Sequence, residues 1–113
     1  MFGRKKKVEE TKKGSVYIHF NEGLYKTKSG EVVRFTNIDV YFDVIEEADI
    51  KNTMSSDMVR TIIIEQCYGF TLSELIDSKD VFLNKMLSEI NGKLDETGVK
   101  CTSFTIDSID KVY

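Results

Sequence analysis

Between residues 38 and 44 the chain alternates Ile38, Val40, Phe42 and Val44 with Asp39, Tyr41 and Asp43. A period of two sends apolar side chains to one face of an extended strand and polar ones to the other. A strand divided this way obliges the rest of the chain to cover one face and leave the other in water. The same pattern occurs earlier, where Val16, Ile18 and Phe20 alternate with Tyr17 and His19 until Asn21, Glu22 and Gly23 break it. Between the two, Leu24 to Lys26, Thr27-Lys28-Ser29-Gly30 and Glu31 to Phe35 read as a hairpin in which Gly30 supplies the positive φ of a tight turn.

The cover should be helical. Ser55-Ser56-Asp57 can cap a helix whose apolar stripe runs Val59, Ile62, Ile63, Gln66, Cys67 and Phe70, with Gly69 at its end. Thr71-Leu72-Ser73-Glu74 fits a capping box, in which the Thr hydroxyl and the Glu carboxylate each accept from the other residue's exposed backbone N–H. Ser78 can cap a further helix, with Asp80 in its first turn, Leu83, Leu87, Ile90 and Leu94 on its sheet-facing stripe, Met86 beside them and Gly98 as its left-handed stop. The chain closes with Lys100 to Ile106, where Thr102, Phe104 and Ile106 alternate against Ser103 and Thr105. Ile109 and Val112 then fall out of phase, as in a bulged strand or the start of a helix.

About four strands, then helices, then one returning strand make an α+β domain, an antiparallel meander packed against two or three helices. At 113 residues the chain is long enough to bury one core without metals or disulfides. Residues 1 to 14 read as a flexible basic tail and residues 15 to 113 as the single domain. The tail carries +4 and the remainder −7, within a net charge of −3. Phe2, Arg4, Lys5, Lys6 and Lys7 are therefore the candidates for contact with an anionic membrane surface, the alternative being a simply solvated end. An acidic domain argues against nucleic acid as the main partner, because phosphate binding requires a positive face. Two cysteines without a CxxC, no secretory pattern at the start, and no apolar run near the roughly 20 residues that span a bilayer give the expectation of a cytoplasmic protein, peripheral at most to the inner face of the membrane.

From Thr27 to Tyr113 the order of elements resembles the SPFH or band 7 domain of stomatins, prohibitins and flotillins. Thr27-Lys28-Ser29-Gly30-Glu31-Val32-Val33 is similar to the family's T-K-D-G-x-x-V turn, and Val40-Tyr41-Phe42-Asp43-Val44 to its V-x-Y-x-V strand, with Phe in place of Tyr. Phe70 to Ile76 resembles y-T-L-x-E-L-l, and Gly98 to Ile109 resembles G-I-x-V-x-x-V-x-I-x-x-I. The resemblance implies a non-enzymatic scaffold that forms homo-oligomers, often on membranes, and holds protein clients. Two departures stand beside it. Only Met1-Phe2 and the basic run occupy the place of the family's N-terminal anchor, and the chain stops at Tyr113, where the family's long coiled coil would begin.

Chemistry is weakly signalled. His19 shares a strand face with Asp39 and Asp43, which suggests an acid/base or metal cluster, but no HExxH, paired-Cys or Asp-rich loop accompanies it, and a satisfied surface histidine is the plainer reading. Cys67 and Cys101 sit on apolar positions, as buried inert thiols do. No catalytic, cofactor-binding or metal-binding residue is assigned. Tyr17, Tyr41 and Tyr68 are the interface candidates, since tyrosine offers apolar area with a polar tip, unless they merely cover strand edges. A self-associating interaction module is the leading expectation. A monomeric α+β domain that binds a small ligand or a peptide is the alternative.

Overall fold

The computed structural model describes residues 14–45 and 55–112, and in them an α+β fold. The elements run β1 (Gly14–Lys26), β2 (Val32–Val44), α1 (Ser56–Cys67), α2 (Leu72–Asp77), α3 (Lys79–Lys93) and β3 (Val99–Lys111). The sheet is antiparallel in the order β1-β2-β3, and its three strands are 13 residues each. The four short strands expected before the helices are two long ones. β1 runs through Asn21-Glu22-Gly23 without ending, and β2 passes through Thr36 and Asn37 in the same way. The tail candidates Phe2, Arg4, Lys5, Lys6 and Lys7 lie outside the described residues.

All three helices pack on one face of the sheet. The core joins Val33, Phe35, Ile38, Val40 and Phe42 of β2 and Val99, Cys101, Phe104 and Ile106 of β3 to Val59, Ile62, Ile63 and Cys67 of α1, Leu75 of α2, and Phe82, Met86 and Ile90 of α3. Phe82 meets Phe35 and Phe70 edge-on, with ring centroids 5.6 and 5.2 Å away. That contact explains why the buried stripe of α3 is centred on Phe82, Met86 and Ile90, with the expected Leu83 and Leu87 only half-buried at its side. The large ring pulls the helix round by about one residue, and hydrophobic period alone does not specify the angle at which a stripe faces its partner.

Local signals at the helix ends hold in most places. Ser55 Oγ accepts from the Met58 N–H at 3.1 Å, and Thr71 and Glu74 form the full capping box. Ser78 occupies the N-cap of α3, but its hydroxyl makes no capping bond, since α2 ends on the same residue and fixes its backbone at φ −124°, ψ 46°. Gly98 has φ 84° yet does not stop α3, which ends at Lys93. It lies in the turn into β3, where its carbonyl accepts from Ile45 N–H at 2.7 Å.

The hairpin between β1 and β2 is anchored to the helical layer. Gly30 takes φ 96°, Glu31 accepts from the hydroxyls of Thr27 (2.5 Å) and Ser29 (2.6 Å), and Lys28 N–H donates to Phe70 carbonyl at 2.9 Å. Those two hydroxyls, Ser29 first, hold the Glu31 carboxyl below its usual range. Further along β1, Tyr25 folds back over Gly23 so closely that a Cβ there would strike its ring and hydroxyl. The ring thereby reaches Phe35 at 4.9 Å and closes the hairpin end of the core.

The inward face changes parity along every strand. In β1 the core-facing residues pass from Val16, Ile18 and Phe20 to Tyr25, in β2 from Ile38 to Phe35, and in β3 from Ile106 to Ile109. The three changes share one row. Asn21, Asn37 and Asp107 lie between the paired rows Phe20–Ile38–Ile106 and Glu22–Thr36–Ser108. Asn37 takes φ 53°, a left-handed conformation that asparagine tolerates better than other side chains. A second irregularity, a bulge between Tyr41 and Phe42 on the β2–β3 ladder, turns Thr102 outward and gives its expected core place to Cys101 and Val99. The C-terminal segment is thus the bulged strand, not a helix.

Candidate functional site

Among the described residues the helices cover only one face of the sheet, and the polar side chains of the other face gather on β1 and β2. Register places Tyr17 opposite Tyr41 and His19 opposite Asp39. The two tyrosine rings stack at 4.7 Å between centroids while remaining 52% and 46% exposed. Tyr17 Oη donates to Asp39 Oδ1 at 2.5 Å. His19 Nδ1 lies 2.6 Å from the same oxygen, and its Nε2 lies 2.9 Å from Asn21 Oδ1. Both neighbours of the imidazole are acceptors, so the ring with a proton on each nitrogen fills both. On the adjoining strand, Asn37 Nδ2 donates to Asp107 Oδ2 at 2.9 Å. The hydrogen-bonded chain Tyr17–Asp39–His19–Asn21 therefore ends on the row where the inward face changes parity.

Charge follows the geometry. The Asp39 carboxylate, by accepting from His19, raises the imidazole above its ordinary range, and Asn21 adds to the effect. Asp39 is lowered in turn, first by the Tyr17 hydroxyl and then by His19. Tyr17 is pushed up to about 12, chiefly by that same bond to Asp39. With side chains still 34% and 23% exposed, His19 and Asp39 attract each other through screened solvent. The group combines an imidazole, a carboxylate and two stacked phenols on one surface, which suits it to docking.

Sequence reasoning placed His19, Asp39 and Asp43 on one face. The structure joins the first two, whereas Asp43 lies opposite Ser15 and Lys100, further toward the strand end. Among the described residues no group of three or more His, Cys, Asp or Glu is arranged to hold a metal ion. Tyr17 and Tyr41 come together, but Tyr68 does not join them. It caps the C-terminus of α1, in the layer across the sheet, and is 55% exposed there. Cys67 and Cys101 are free and buried, their thiols pushed up by burial to about 12 and about 11. The row of Asn21, Asn37 and Asp107 has a sequence signal in apolar residues spaced by three inside otherwise alternating strands: Ile106 to Ile109 is the phase break noted above, and Phe35 to Ile38 is its unremarked counterpart in β2.

No family model matches the sequence, and no curated protein matches it. Among the described residues no helix is long and apolar enough to cross a membrane.

The two edges of the sheet differ. Along β3, Asn91 of α3 donates to the Cys101 carbonyl at 3.0 Å and accepts from the Cys101 N–H at 2.7 Å. Lys79 Nζ donates to the Ile106 carbonyl at 2.5 Å. Side chains thus occupy backbone groups that a further strand would need. Along β1, no strand and no hydrogen bond from another described residue reaches the outer edge.

Proposed function

We propose that this chain is a non-enzymatic interaction module of the SPFH or band 7 type, which works by assembling with copies of itself. The observation that carries the reading is the one-sided cover of the sheet among the described residues, which leaves Tyr17 and Tyr41 stacked and half-exposed. Rigid aromatic pairs lose little side-chain freedom on docking, and tyrosine is enriched where surfaces meet. The polar groups beside them are engaged with one another: Asp39 accepts from Tyr17 and His19, and Asn21 takes the second ring nitrogen. In this reading the cluster shapes and charges a docking surface. The four stretches similar to the family motifs supply the type of module.

The basic segment with Phe2, Arg4, Lys5, Lys6 and Lys7 adds a peripheral contact with anionic lipid at the cytoplasmic face, worth about 1 kcal/mol per charge near the surface. Light scattering over a concentration series, together with flotation on vesicles with and without anionic lipid, tests both parts. A mass above the monomer supports assembly, and flotation only with anionic vesicles supports the lipid contact. A strict monomer that ignores both vesicles defeats the reading.

A further inference from the structure

Beyond the row of Asn21, β1 presents Glu22, Leu24 and Lys26 away from the core, with Leu24 56% exposed. Glu22 reaches Arg34 at 3.6 Å, a solvent-exposed pair, while Lys26 has no acidic partner among the described residues. An unpaired strand edge is a template for another strand, and natural sheets block the edges that must not pair. Here the β3 edge is blocked by Asn91 and Lys79, and among the described residues nothing blocks the β1 edge.

We propose that β1 pairs antiparallel with β1 of a second copy of this chain, with Leu24 on the two-fold axis. The proposal rests on the self-assembly reading and gives it a surface and a register. In an isologous contact residue i faces residue j and j faces i, so the residue on the axis defines the whole register. With Leu24 there, Glu22 faces Lys26 of the partner copy, Lys26 faces the partner copy's Glu22, and the two exposed leucines meet. With Glu22 on the axis two carboxylates face each other, and with Lys26 two ammonium groups do. With Gly23 or Tyr25 on the axis, a charge faces leucine. An axis at Tyr17 sets Ser15 against His19 and gains no ion pair. Charge and apolar contact therefore select one register, and main-chain hydrogen bonds across the edge supply the rest. The result is a continuous sheet of twice the width, with the open faces of both copies on the same side.

Sedimentation velocity on the full chain tests this with two charge reversals. The wild type is expected to dimerise with concentration, and Glu22→Lys and Lys26→Glu are each expected to weaken the dimer roughly tenfold or more, because opposed pairs become like-charged ones. An equimolar mixture of the two variants restores the dimer, since positions 22 and 26 are then both basic in one chain and both acidic in the other. That rescue also shows that both variants are folded. A wild-type dimer indifferent to either reversal overturns the β1 register and leaves self-assembly standing. A wild type that stays monomeric at every concentration overturns both, and leaves the β1 edge to a peptide of another protein.

Discussion

Asn37 donates to Asp107 at 2.9 Å across the β2–β3 ladder, from a backbone with φ 53°. The pair sits where all three strands exchange the face that looks inward, so one side chain both tolerates the unusual backbone and ties it to the neighbouring strand. Asn37→Val, a favourable strand substitution elsewhere, should cost about 1–2 kcal/mol for the left-handed conformation and about 1 kcal/mol for the lost bond. Asn37→Gly should lose only the bond. Urea unfolding midpoints decide it: equal losses for the two variants would mean that backbone strain plays no part.

Asn91 satisfies both backbone groups of Cys101 with one amide. Asn91→Ala is expected to lower stability by about 1–3 kcal/mol, because buried donors and acceptors left unpaired cost their full desolvation. Asn91→Asp keeps the acceptor and loses the donor, so its midpoint should fall between wild type and the alanine variant. An alanine variant as stable as wild type would show that water or the backbone replaces the bridge.

The His19–Asp39 contact makes stability depend on pH in a defined direction. His19 is raised on folding, so its contribution is complete below the unfolded-state value of roughly 6.5 and disappears as pH rises through the higher folded value. Asp39 is lowered, so its contribution is present above roughly 3.9 and disappears as pH falls through the folded value. The stability difference between wild type and His19→Gln should therefore shrink toward alkaline pH, and that for Asp39→Asn should shrink toward acid. A His19→Gln difference that grows with pH would reverse the assignment of the imidazole as a double donor.

Cys67 and Cys101 are held as thiols well past neutrality, at about 12 and about 11. The thiolate is the reactive form, so a thiol reagent near pH 8 should leave the native chain unlabelled and modify both cysteines once urea unfolds it. Rapid labelling of the native chain would place at least one of them in solvent.

Much of this architecture is legible in the chain itself. Alternation over Val16 to Phe20 and Ile38 to Val44, the positive φ at Gly30 and the Thr71/Glu74 capping box are encoded within a few residues of one another, so the sequence alone determines an amphipathic antiparallel sheet with helices to cover it. The fusion of short strands into long ones was not legible, because a change of inward face within a strand keeps its pairing only when neighbouring strands change in the same row, as they do at Asn21, Asn37 and Asp107 from positions up to 86 residues apart in sequence. The turn of α3 onto Phe82 likewise depends on rings contributed by Phe35 and Phe70. The same holds for the surface chemistry. Strand parity put His19 and Asp39 on one face, but only the register of β1 on β2 set them side by side with Tyr17 and Tyr41. Local periodicity fixes which way a side chain points, whereas what it meets there is decided by long-range pairing, which short-range sequence does not contain.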